Sequence, residues 1–106
     1  MDSALMYQAV AQGDVDVITA FSTDGRIAAL DLAVLEDDKA AIPPYDAVVL
    51  ARPGLAAEHP EVLEAIRRLE GSLDAARMRR MNLAVDQAGE SPARVAEEFL
   101  ATLRSE

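Results

Sequence analysis

Cysteine is absent from the 106 residues, which excludes a disulfide framework and a thiolate metal site. Tryptophan is absent too, and two Phe and two Tyr make only 4% aromatic residues. Any core must therefore be built mostly from Ala, Leu, Val and Ile. Positive charge is scarce: 10 Lys and Arg stand against 19 Asp and Glu, a formal net charge of -9. That balance argues against nucleic acid, whose phosphates need clustered Lys and Arg, and against anionic lipid surfaces. No run approaches the roughly 18 apolar residues of a membrane-spanning helix. The N-terminal MDSALMYQAV has an acid and no basic region, so it does not read as a signal peptide. There is one histidine, no glycine-rich phosphate loop and no His-Glu metal motif. An enzyme is not expected, nor is a cofactor. What is present is 51% hydrophobic residues, enough for one folded domain.

The chain changes character near Pro53. Before it, short β-rich runs alternate with turns; after it, the pattern is helical. Ser3 to Gln12 reads as a helix with Asp2 or Ser3 as N-cap, Gly13 as its stop and Leu5, Met6, Ala9 and Val10 as its apolar face. Val15 to Phe21 reads as a mostly buried strand, Leu32 to Leu35 as a second and Ala47 to Leu50 as a third. Ser22-Thr23-Asp24-Gly25 is a turn signal, and Arg26 to Ala29 fits one helical turn capped by Thr23 or Asp24. Glu36 to Lys39 is a polar loop, and Pro43-Pro44 imposes an extended path. Three helices follow. The first runs from Pro60 to near Glu70, with Val62, Leu63, Ile66 and Leu69 buried. The second runs from Asp74 to Gln87, with Met78, Met81 and Val85 inward. The third starts at Ser91 and Pro92, with Val95, Phe99 and Leu103 inward. The expectation is an α/β fold with a short β-rich N-terminal half and three C-terminal helices.

Several segments carry a resemblance. They are Ala20-Phe21-Ser22-Thr23-Asp24-Gly25-Arg26-Ile27, Val34 to Lys39, and Pro43-Pro44-Tyr45-Asp46-Ala47-Val48-Val49. Further on come Leu69-Glu70-Gly71, Met78-x-x-Met81-Asn82-x-x-Val85-Asp86 and Ser91-Pro92-x-x-Val95-Ala96-x-x-Phe99-Leu100. In this order they resemble the substrate-binding proteins of ABC importers for glycine betaine, choline and carnitine. The resemblance covers about Leu5 to Leu103. It implies part of a type II periplasmic-binding-protein fold, which is two-lobed with the ligand in the cleft. Residues 1–22 would be the last helix and strand of the second lobe. Residues 23–106 would be the crossover and the C-terminal portion of the first. The N-terminal half of the family pattern has no counterpart here.

The resemblance also implies a site. A quaternary ammonium has no hydrogen to donate, so aromatic faces hold it, each worth about 0.5–2 kcal/mol. The family's aromatic positions correspond to Phe21 and Tyr45, the first usually being Tyr. Ser22 and Thr23 follow the first ring and would meet a polar group of the ligand. Without the resemblance, Phe21 is ordinarily a core residue and Tyr45 a packed turn residue. Ser22-Thr23-Asp24 is then a turn and a cap. Asp24 has two readings, a cap or a partner for Arg26, and Arg26 a structural one. Glu36-Asp37-Asp38 reads as a solvated loop before a calcium site. The Arg67-Arg68 and Arg77-Arg79-Arg80 groups read as solvated faces, and His59 as a cap or surface residue.

The implied function is the C-terminal portion of a receptor for quaternary-ammonium osmoprotectants. Its partners would be the small ligand, an ABC permease subunit and the missing N-terminal lobe or a second copy. The intact protein would work in the periplasm or outside the cytoplasmic membrane, and this sequence holds no export signal. The competing reading is a truncated fragment that binds no ligand alone and forms a dimer or strand-exchanged oligomer.

Overall fold

The computed structural model describes residues 3–104. They form six α-helices: α1 (Ser3–Gln12), α2 (Gly25–Ala29), α3 (Leu55–Glu58), α4 (Pro60–Arg67), α5 (Ala75–Asp86) and α6 (Pro92–Leu103). Two compact units result. One comprises residues 1–34 and 74–106, the other Leu35–Leu73.

The expected β-rich N-terminal half is not there. No strand occurs among the described residues, and the segments 15–21, 32–35 and 47–50 are irregular. The α/β reading is corrected accordingly. The physical reason is that β propensity marks a side-chain pattern suited to a pleated, half-buried surface, not a backbone that is extended by itself. A strand also needs a second backbone to exchange hydrogen bonds with. No ladder joins these runs among the described residues. Burial fails with pairing: Val17, Phe21, Val34, Leu35, Val48, Val49 and Leu50 are all exposed.

The first unit is built on α5. Asp74 caps it by accepting a hydrogen bond from the Arg77 N–H at 2.6 Å. Ser91 caps α6 in the same way, accepting from the Arg94 N–H at 3.2 Å, and Pro92 takes the first helical turn where its missing N–H costs nothing. Helices α2 and α6 both contact α5. Among the described residues the buried hydrophobic ones are Tyr7, Ile27 and Val95, from α1, α2 and α6. On α1 the expected stripe is shifted. Leu5 is exposed, while Tyr7 is only 3% exposed and takes the inward position. The Asp2 cap lies outside the described residues, as does the Ser3 side chain. Gly13 ends α1 at φ +77°, a conformation that favours glycine.

In the second unit, α3 and α4 pack against each other. Helix α3 was not expected from the sequence. The Arg52 guanidinium pairs with the Glu58 carboxylate across it through two nitrogens. Such an exposed pair adds little, because water screens it and two long side chains must be held in one geometry. The expected α4 stripe is only partly covered, with Leu63, Ile66 and Leu69 half-buried and Val62 exposed. His59 precedes α4 and faces Glu61 at 3.2 Å, a surface pairing. Asp37 organises the acidic loop: one carboxylate oxygen accepts from the Ala41 N–H at 3.0 Å, the other from the Ile42 N–H at 2.7 Å. These bonds, led by that of Ile42, hold its pKa below the usual carboxylate value.

Candidate functional site

The Phe21–Asp24 segment is a closed turn. The Asp24 N–H donates to the Phe21 carbonyl at 3.0 Å. Asp24 then caps α2, its Oδ1 accepting from the Arg26 N–H at 3.0 Å. The same carboxylate holds the Arg26 side chain, with Oδ1 to Nε at 3.0 Å and Oδ2 to Nη2 at 2.8 Å. Both sequence readings of Asp24, cap and ion-pair partner, therefore hold at once. The pair is well covered, with the Arg26 side chain 29% and the Asp24 side chain 15% exposed.

Arg26 also lies over the Tyr7 ring, its Cζ 4.2 Å from the centroid. This ties α2 to α1 by a cation–π contact. Bonding to Arg26 lowers the Asp24 pKa, against burial, which raises it. Bonding to Asp24 raises that of Arg26, with a further contribution from Asp86 on α5. The Tyr7 hydroxyl is buried and has no hydrogen-bond partner of adequate geometry. Burial raises its pKa first, and the nearby Asp24 charge second.

Helix α5 holds the turn from below. Arg79 Nε donates to the Ser22 carbonyl at 2.5 Å, and Asn82 Nδ2 donates to the Thr23 carbonyl at 2.7 Å. Gly25 is buried where α2 meets α5. A Cβ there would stand 2.6 Å from the Leu83 nitrogen and 2.8 Å from its Cα. Glycine is needed at this point for close approach of two backbones, not for the turn itself.

Of the residues expected from the sequence, Phe21, Ser22 and Thr23 share this one turn. Phe21 is 69% exposed, Ser22 is exposed and Thr23 half-buried. Tyr45 belongs to the other unit and is 88% exposed, directly after Pro43 and Pro44. Neither ring takes the core position that a single Phe or Tyr would ordinarily occupy. Tyr7 and Arg79 were missed. Arg79 was read as part of a solvated face and instead reaches across to Ser22. Asn82 left a signal: asparagine is a poor helix former, so its place in the middle of α5 suggests a bond made elsewhere.

A groove of about 510 Å³ runs beside α5 and α6, lined by Arg77, Arg80, Met81, Glu90, Val95 and Phe99 among others. It contains none of the expected site residues. Arg77 lies 5.7 Å from the centroid of Phe99, so a cation already occupies that aromatic neighbourhood.

Comparison with known proteins places the chain. Residues 1–102 match the family described as the substrate binding domain of the ABC-type glycine betaine transport system. A carnitine transport binding protein, OpuCC of Listeria monocytogenes, is 39% identical over 100 residues, covering 94% of this chain and 32% of that protein. The ergothioneine transport permease/ergothioneine binding protein EgtU of Helicobacter pylori is 33% identical, covering 97% of this chain and 19% of its own length. A crystal structure of a glycine betaine/carnitine/choline ABC transporter superposes with a TM-score of 0.90 at 45% identity, covering 96% of this chain and 37% of that one. The chain thus spans about a third or less of the curated relatives it matches. With a match that runs over nearly every residue described above, the chain belongs to the family of substrate-binding domains of ABC-type glycine betaine transport systems.

Proposed function

We propose that this chain is the C-terminal portion of a receptor that delivers a quaternary-ammonium osmoprotectant to an ABC permease. The reading includes work outside the cytoplasmic membrane. It assigns residues 1–22 and 23–106 to two lobes that close on the ligand by a hinge motion. Aromatic rings hold the ammonium, Phe21 and Tyr45 among them, while Ser22 and Thr23 meet the ligand's polar group. The observation that carries this reading is the exposure of Phe21 on a turn that is otherwise bonded to α5 at both of its next two carbonyls. An exposed ring costs hydrophobic stabilisation that burial would supply. Binding a desolvated cation offsets that cost.

Calorimetry with glycine betaine, choline and carnitine on the receptor at its natural full length tests this. At least one compound should bind. Phe21→Ala and Tyr45→Ala should each raise its Kd by about threefold to thirtyfold, the equivalent of one cation–π contact. Failure of all three compounds to bind the full-length receptor sinks the reading.

A second reading has its own observation. In the Leu35–Leu73 unit Ile42, Val48, Val49 and Leu50 are exposed, Leu50 at 90%. Exposed apolar side chains of this kind favour association. This chain alone is then a self-associating segment without ligand affinity. Light scattering on it should show mass rising with concentration. A strict monomer that binds glycine betaine tightly would rule this out.

A further inference from the structure

We infer that Asn82 and Arg79 on α5 are positioning residues for the ligand-contacting turn, fixing the backbone from which Phe21, Ser22 and Thr23 are presented. This rests on the reading of that turn as a ligand contact.

The two donors come from 57 and 59 residues away in sequence. Arg79 Nε meets the carbonyl of Ser22, and Asn82 Nδ2 meets that of Thr23. Two successive peptide carbonyls, immediately after the exposed ring, are therefore anchored to a long helix. Within the turn the Asp24 N–H donates to the Phe21 carbonyl at 3.0 Å. That bond spans the turn and does not engage the Ser22 and Thr23 carbonyls. The α5 donors engage those two carbonyls and restrain the peptides that carry them. They engage the carbonyls alone, so the two hydroxyls and the peptide N–H groups of residues 22 and 23 stand on a fixed backbone. A backbone held in its bound form before the ligand arrives does not lose that conformational freedom on binding, which raises affinity without a new contact. The approach of α2 to α5 at Gly25 brings the turn within reach of both side chains.

Three variants test the inference with two readouts. Asn82→Asp is nearly isosteric and turns the donor into a carboxylate facing the Thr23 carbonyl. Arg79→Ala removes the other donor at a half-exposed position. Arg79→Lys keeps a charged donor. The first readout is hydrogen exchange at the Asp24 amide, which needs no ligand. Exchange should quicken about tenfold in Asn82→Asp and Arg79→Ala and be partly restored in Arg79→Lys. The second is the Kd for glycine betaine on the full-length receptor, measured well below the melting temperature. It should rise about tenfold in Asn82→Asp, as expected for losing a preorganising bond. A purely structural role lowers the melting temperature and leaves Kd unchanged, which overturns the inference. Unchanged exchange at Asp24 overturns it as well. A wild-type receptor that binds none of glycine betaine, choline and carnitine overturns it through the reading beneath it. The exchange rates then distinguish that failure from a failure of the clamp.

Discussion

Gly25→Ala is expected to destabilise the protein by about 3 kcal/mol, the upper range for forcing atoms into a packed contact. Local preference points the other way. Gly25 begins α2 with an ordinary φ, where alanine is the better helix former by about 1 kcal/mol. Packing decides the sign. The added carbon would stand 2.6 Å from the Leu83 nitrogen, 2.8 Å from its Cα and 3.0 Å from the Asn82 carbonyl carbon. All three are backbone atoms of a helix, so no side chain can swing aside. Relief requires α2 to back away from α5, and that loosens the bonds to Ser22 and Thr23 together. Thermal unfolding should fall by about 10 °C or more for a domain of this size. A rise in melting temperature would show that helix propensity outweighs the contact.

Asp24→Ala should cost about 2–3 kcal/mol. The change removes the α2 cap, worth about 1 kcal/mol. It also leaves the Arg26 guanidinium, 29% exposed, without its carboxylate. Stranding one member of a covered ion pair costs more than the pair's net worth. The pH dependence carries the sign. The Arg26 bond places the folded Asp24 pKa below its unfolded value. A depressed carboxylate contributes its stability above the unfolded pKa, about 3.9, and loses it as pH falls through the folded value. The gap in unfolding free energy between wild type and Asp24→Ala should therefore be full at pH 6 and shrink below about pH 4. A gap that stays constant down to pH 2 would mean that the Asp24 charge contributes nothing. Arg26 does not titrate in this range, and the buried Tyr7 hydroxyl, with its pKa raised, stays neutral throughout.

The helices after Pro53 were legible because their signals are local. Pro60, Asp74, Ser91 and Pro92 mark starts by chemistry that acts within one turn. A turn at this point was legible for the same reason, although it closes over Phe21–Asp24 and Gly25 already belongs to α2. The apolar runs before Pro53 were misread because a strand is a relation between two backbones, and a periodicity describes only one. Helix α3 was missed because four residues after Pro53-Gly54 read equally well as turn. Tyr7 was overlooked because the α1 pattern was assigned by hydrophobicity. Its aromatic body is apolar, and in the folded protein Arg26 lies across the ring.

By itself, the sequence determined the family, the absence of thiol chemistry, the capped helices and a turn after Phe21, whose ring it assigned to a strand. These follow from residue types at short spacing, where cap, turn and helix chemistry are complete within a few residues. Only the tertiary structure decided that Gly25 meets α5 backbone to backbone, and that Asn82 and Arg79 hold the carbonyls of Thr23 and Ser22. It also decided that Asp24 serves as cap and ion-pair partner together. Those contacts join residues more than fifty positions apart or depend on burial, and neither distance in space nor exclusion of water is written in local sequence.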